Sequence, residues 1–146
     1  MTEEIKALLL SDRAVYPKVV TLIKGDKDRP LFEQIQQYTD GVFTVVYPDN
    51  YEDESALKDY VIYMNDEALY TDGMTPNIAI RPELMKEKKW DYAGILFGPI
   101  LVVKPDHATG DDLTLENDEI PLIIEALQEK MLVNKYRKEF IERGAQ

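Results

Sequence analysis

The sequence predicts an α+β fold: a small antiparallel or mixed sheet with helices packed on one face and a C-terminal helix or helix pair. Two strand-like segments come before the first helical pattern, and three further apolar segments follow it. An amphipathic pattern comes last. The resulting order, β-β-α-β-β-loop-β-α, is typical of a sheet of this kind.

The N-terminal part predicts a strand pair followed by a helix. Residues 18–23 are rich in β-branched side chains, which favour a strand, and residues 5–10 are interpreted as its hairpin partner, although Ala and Leu also favour helix. After Pro30 the apolar spacing predicts a helix that ends at Asp40-Gly41, with Gly41 available for a left-handed cap. The helical spacing is carried by Leu31, Phe32, Ile35 and Tyr38.

The middle of the chain predicts two strands and a long loop. Residues 42–47 give the clearest strand pattern, and residues 60–64 give another. Residues 66–82 contain Asp-Gly and Thr-Pro pairs, which are typical of turns and extended segments, so they are expected to be mostly loop. Within them, residues 78–80 are either a short strand or a bridging turn.

Residues 94–103 are predicted to form one buried strand with a break at Gly98-Pro99. A proline removes a backbone donor from the ladder of a central strand. We therefore expect a bulge or an edge position at this break.

The C-terminal part predicts an amphipathic helix capped by Asn117. The sequence leaves open whether this helix is continuous to Arg143 or divides into a pair. The chain is interpreted as a single domain over residues 1–146, with a helical extension considered from about residue 129. The apolar stripe of the helix consists of Ile120, Ile124, Leu127 and Met131.

The composition excludes several classes of chemistry. The chain has no cysteine and one histidine, His107, which excludes disulfides, zinc ribbons, thiol nucleophiles and sites with two histidines. Neither Ser11 nor Ser55 lies in a nucleophile-elbow pattern, and no glycine-rich phosphate loop occurs. We therefore expect a protein that is not an enzyme and has no cofactor and no metal. The acidic N-terminus and the lack of a long apolar run predict a soluble, cytoplasmic protein with no membrane partner.

The negative charge lies in two short segments. Residues 49–59 carry five carboxylates and one lysine, and residues 106–119 carry six carboxylates and neither Lys nor Arg, so they hold ten of the eleven net negative charges. Such acidity argues against direct nucleic-acid binding and predicts docking on a basic protein surface, for instance that of a host nucleic-acid-binding enzyme. The alternative is that the acidic loops only keep the protein soluble. The predicted docking residues are Tyr51, Glu52, Asp53, Glu54, Asp106, Asp111 and Asp112.

Two other functions stay open on the sequence alone. A small-ligand or nucleotide-binding module would have its pocket between the loop at residues 66–82 and the sheet. A structural protein would form a homodimer through the apolar stripe of its terminal helix.

Three segments, residues 65–77, 91–103 and 112–119, resemble an uncharacterised family of small proteins encoded by bacteriophages, plasmids and conjugative elements. The resemblance implies a shared fold and an accessory role in a mobile element, including interference with host defence. It also implies a binding role for the loop. Asn65 and Asn77 have a structural alternative, since an asparagine in such a position commonly shapes a turn. The positions that match the family are Asn65, Gly73, Pro76, Asn77 and Gly94.

Overall fold

The computed structural model describes residues 2–14, 16–51, 55–68, 74–80, 95–106 and 108–131. Its helices are α1 (Leu31–Thr39) and α2 (Ile120–Lys130), and two 3₁₀ turns span Pro48–Tyr51 and Ala56–Asp59. The strands are β1 (Glu3–Leu10), β2 (Lys18–Lys24), β3 (Phe43–Val46), β4 (Val61–Asn65), β5 (Pro76–Ala79), β6 (Ile95–Phe97), β7 (Ile100–Pro105) and β8 (Asp112–Leu113). Of the C-terminal extension predicted from about residue 129, the part after Met131 lies outside the described residues, and α2 ends at Lys130.

The main sheet is antiparallel and has the order β2-β1-β7-β4-β3, with β8 paired to β7. The hairpin predicted for the first two strands is confirmed. Strand β7 lies in the centre, where Leu101 is opposite Leu9 on one side and opposite Tyr63 on the other. Strands β5 and β6 form a separate antiparallel pair.

The α+β class is confirmed, but the helices lie on opposite faces of the sheet, so the prediction that they share one face was wrong. Alternate residues of each strand face opposite sides. Helix α1 packs through Ile35 on the face that holds Leu101, whereas α2 packs through Leu127 on the face that holds Ile100. The physical reason is the apolar run in β7, where all residues from 100 to 103 are buried. A strand buried on both faces needs cover on both.

The break at Gly98-Pro99 also differs from the prediction. It separates two strands of different sheets, β6 and β7, and β7 is central instead of lying at an edge. Gly98 has φ of +73°, and a Cβ atom there would lie 2.9 Å from the Met74 sulfur. Since Pro99 lies between the strands, it removes no ladder donor.

The helix ends differ from their predicted caps. Asp40, with φ of 60°, takes the left-handed conformation expected of Gly41. Helix α2 begins at Ile120 after Glu119, so Asn117 is not its cap. Within the described residues, no helix is long and apolar enough to cross a membrane.

Candidate functional site

Tyr60 joins three parts of the fold at one end of the sheet. Its hydroxyl donates a hydrogen bond of 2.9 Å to Oε1 of Glu119, just before α2. Glu119 also accepts a bond of 2.8 Å from the backbone N–H of Glu116 and pairs with Nζ of Lys104, on β7, at 3.0 Å. These contacts connect the start of β4, the end of β7 and the start of α2.

Both acidic segments influence Tyr60. Burial raises the pKa of the Tyr60 hydroxyl, and the hydrogen bond and charge of Glu119 and the charges of Asp59 and Asp118 raise it further. Asp59 belongs to the first acidic segment, and the other two belong to the second. Parts of the two segments therefore meet around one tyrosine.

Glu119 and Lys104 form a charged pair within this cluster. Burial by itself raises the pKa of Glu119, but hydrogen bonds from Glu116, Lys104 and Tyr60 outweigh it, so the net pKa is lowered. The hydrogen bond to Glu119 raises the pKa of Lys104, although burial opposes this. The Glu119 charge is thus already neutralised within the chain.

Tyr63 anchors another part of the second acidic segment, on the opposite face of the sheet. Its hydroxyl donates a bond of 3.0 Å to Oδ1 of Asp112 in β8. Burial raises the pKa of Asp112, and the Tyr63 bond and the charge of Lys24 offset this in part. Nζ of Lys24 lies 3.4 Å from Oδ2 of Asp111. Asp111 and Asp112 are therefore engaged by the chain itself.

Asp106 shapes the turn between β7 and β8. Its carboxylate accepts a bond of 2.9 Å from the N–H of Ala108, and its own N–H donates to the carbonyl of Asp111 at 2.7 Å. The three acidic residues of the second segment predicted to bind thus have contacts within the fold.

An open cleft lies next to Tyr60, with a volume of about 230 Å³. Its aromatic wall includes Tyr47, whose side chain is 51% exposed at the end of β3. Asp49 lines the cleft and is exposed. Asp59 and Asp118, whose charges act on Tyr60, are also exposed. We call Tyr47, Asp49, Asp59 and Asp118 the acidic end. The full lining of the cleft is Tyr47, Asp49, Asn50, Lys58, Tyr60, Val61 and Pro105.

The acidic end overlaps the predicted docking segments but not the predicted residues. Tyr51 is the last residue of a 3₁₀ turn. Tyr47, Asp59 and Asp118 were not among the predicted docking residues, although Asp59 and Asp118 belong to the two acidic segments. The available signal for Tyr47 was a large aromatic residue directly between a strand and a turn. Four residues of the predicted site lie outside the described part of the chain: Glu52, Asp53, Glu54 and Gly73.

Asn65, selected by the resemblance, fastens helix α1 to the sheet. Its Nδ2 donates to the carbonyls of Thr39 and Asp40 at 3.1 and 3.2 Å, and its Oδ1 accepts from the N–H of Glu67 at 2.8 Å. A Cβ atom on Gly41 would lie 3.0 Å from this Nδ2. The turn-shaping alternative therefore describes its contacts.

Asn77 has a similar role between the two sheets. It is fully buried in β5, and its Nδ2 donates to the carbonyls of Leu10 and Gly98 at 2.8 Å each. Pro76 is buried beside it. Nearby, Asp12 accepts bonds from the N–H and hydroxyl of Thr75 at 2.7 and 3.0 Å. The sequence analysis did not single out Asp12 or Thr75, because their contacts cross more than sixty residues of chain.

Among the residues that the structure describes, no group of three His, Asp or Glu side chains is arranged to hold a metal ion. The apolar stripe of α2 packs against the chain's own core: Leu127 is fully buried, and Ile120, Ile124 and Met131 pack beside it. Internal packing therefore accounts for the pattern that favoured a homodimer.

These features define a small α+β protein with an antiparallel sheet, a helix on each face and an acidic, tyrosine-bearing end. The chain belongs to the family described as "Domain of unknown function (DUF3846)", whose model matches residues 5–130. The match includes the main sheet except the first two residues of β1, together with both helices and both acidic segments. No curated protein and no solved structure matches the chain. The expectation of an uncharacterised family is confirmed.

Proposed function

We propose that this chain is a non-catalytic binding protein of a phage or another mobile element, acting in the cytosol on a basic protein surface. The proposed docking surface is the acidic end. The observation that carries the proposal is the hydrogen bond of 2.9 Å from the Tyr60 hydroxyl to Glu119, which joins the segment that ends at Asp59 to the segment that contains Asp118. The proposed partner is a host protein that handles nucleic acid or serves in defence, since such proteins present Lys and Arg to phosphates.

The distribution of paired and unpaired carboxylates supports this surface. Asp111 and Glu119 each have a lysine partner. Among the described residues, Asp49, Asp59 and Asp118 have no ion-pair partner, and all three are exposed. No ion pair within the described residues has to be broken before these carboxylates bind a cation. Their charges can also steer a basic partner toward this end.

Tyr47 adds chemistry that suits arginine in particular. A guanidinium group stacks on an aromatic ring and bonds to a carboxylate at the same time. Tyr47 and Asp49 line the same cleft, so both contacts are within reach of one side chain. A half-exposed tyrosine also adds contact area at low cost in conformational entropy.

The test compares two triple variants with the same change in net charge. Variant one carries Asp49→Asn, Asp59→Asn and Asp118→Asn. The control carries Asp28→Asn, Glu33→Gln and Glu125→Gln, all exposed positions elsewhere. The probe is an arginine-rich peptide, and its dissociation constant is measured by titration at several salt concentrations.

We expect variant one to weaken binding at least tenfold and to flatten the salt dependence, because three local ion contacts are lost. The control should stay within about threefold of the parent protein. Equal weakening of binding by both variants would show that only the net charge matters, and would refute the acidic end as a defined docking surface.

A further inference from the structure

Within the described residues, the outer edge of β3 is not paired with another strand. The N–H of Asp66 donates to the carbonyl of Val42 at 2.8 Å, which makes this a hydrogen-bonded pair of the antiparallel ladder. Because such pairs alternate, Phe43 and Val45 direct their N–H and C=O groups away from β4. Among the described residues, no group bonds to these outward N–H and C=O groups.

A hollow lies at each end of this edge, and the one at the start of β3 is acidic. At the start of β3, a hollow of about 260 Å³ is lined by Asp40, Asp66 and Glu67. At its other end lies the cleft with Tyr47 and Asp49, which Lys58 also lines. Five steps of an extended chain separate Val42 from Tyr47, a distance of about 17 Å.

The flanking side chains are also exposed. Val42 is 66% exposed and Tyr47 is 51% exposed. Large apolar side chains at both ends of an open edge give an added strand something to pack against. Backbone hydrogen bonds would supply affinity, and the two hollows would supply specificity.

We propose that the β3 edge binds an extended segment of the basic partner, which adds to the sheet as a strand, places one Lys or Arg in the acidic hollow beside Asp40 and Asp66, and places a second one against Tyr47 and Asp49. This inference rests on the proposed function and specifies how the partner binds. The required segment has two basic residues about five or six positions apart with strand-forming residues between them. Charge selects this occupant over a second copy of the chain, because each copy has a net charge of −11 and two copies therefore repel each other.

The experiment uses two peptides of equal charge. Each has seven residues, with arginine at both ends and alternating valine and threonine between them. In the second peptide, the amides that face the protein are N-methylated, which removes their donors but keeps the charge. Titration gives both dissociation constants, and amide hydrogen exchange reports the β3 edge.

We expect the N-methylated peptide to bind at least tenfold more weakly, and the unmodified peptide to slow exchange at Phe43 and Val45. Exchange at Val19 and Thr21, on the opposite edge, should not change. In the protein, Val45→Pro removes an outward N–H and should weaken binding, while the matched Thr21→Pro on β2 should not. Thermal unfolding of both variants checks that they fold.

Equal binding of the two peptides would overturn strand addition. If the triple aspartate variant still bound both peptides more weakly than the parent protein does, the acidic end would be supported as a docking surface without strand addition. Failure of the unmodified peptide to bind the parent protein would also overturn the inference. A dimer without peptide, with slowed exchange at Phe43, would assign the edge to a second copy instead.

Discussion

The two outer strands of the main sheet, β2 and β3, treat their open edges differently. On β2, the side-chain amide of Gln34 accepts from the N–H of Ile23 at 2.7 Å and donates to its carbonyl at 2.8 Å. It thus occupies the place of a neighbouring strand. On β3, the outward groups of Phe43 and Val45 receive no such bond from the described residues.

The charged residues at the two outer strands, β2 and β3, also differ. Strand β2 has Lys18 and Lys24 at its two ends, and lysines on an edge strand discourage pairing with another chain. Strand β3 has no charged residue among its four, and the charges at its start are the carboxylates of Asp40, Asp66 and Glu67. The comparison indicates that β2 is protected by the fold, whereas β3 is kept selective by the charges at its ends.

The largest effect is expected from Gln34→Leu, which breaks the protection of β2. Gln34 is nearly buried and makes three hydrogen bonds, the third to the carbonyl of Arg29 at 2.9 Å. Their loss should lower the free energy of unfolding by about 2–3 kcal/mol, measured by urea denaturation. The matched control is Gln37→Leu at an exposed position of the same helix. If both variants are equally stable, the amide does not close this edge.

Intermediate effects on stability are expected from two carboxylates that each accept a hydrogen bond from a tyrosine, Glu119 and Asp112, and their pH dependences should differ. The lowered pKa of Glu119 means that its charge stabilises the fold above its ordinary pKa, and that this is lost as the pH falls through the lowered value. Glu119→Gln should therefore cost about 1 kcal/mol at pH 7 and less in acid.

Asp112 should behave in the opposite way. Its raised pKa means that protonation favours the folded state, so the parent protein loses this contribution as the pH rises through the raised value. Asp112→Asn should be at least as stable as the parent at pH 7, without that advantage in acid. Urea denaturation at several pH values measures both variants. The same pH trend in both would show that the two tyrosine contacts are equivalent.

The smallest effect is expected from Lys24→Met, which removes the ion pair between β2 and Asp111. Both side chains are substantially exposed. The free energy of unfolding should fall by less than about 1 kcal/mol, and high salt should remove the difference. Lys27→Met, at an exposed position in the following turn, is the control. A loss larger than that of Gln34→Leu would mean that the ion pair contributes more than Gln34 to holding β2.

The local pattern was sufficient to predict most elements of this fold. Residues 18–23 and 42–47 were identified as strands from their β-branched and aromatic residues, and the helix after Pro30 from its apolar spacing. The placement of the helices was not predicted, because it depends on which face each strand residue occupies. The apolar run from 100 to 103 contained that information, but its interpretation as part of one strand obscured it.

The candidate site was predicted only at the level of segments. The concentration of charge in two segments was visible, but the sequence did not show which carboxylates the chain uses itself. Asp112 pairs with Tyr63, and Glu119 pairs with Tyr60, over separations of 49 and 59 residues. Local spacing contains no signal for such contacts. The same reason hid the role of Gln34.

The position of β7 also determines the order in which this protein can assemble. The hairpin of β1 with β2 and the hairpin of β3 with β4 each join neighbours in sequence, but within the sheet they are linked only through β7. For example, Leu8 of β1 pairs with Val102 of β7, which is synthesised much later. During synthesis, both hairpins therefore leave the ribosome long before β7, the strand that joins them in the sheet. The cooperative step of folding must follow the synthesis of β7, the last of these five strands.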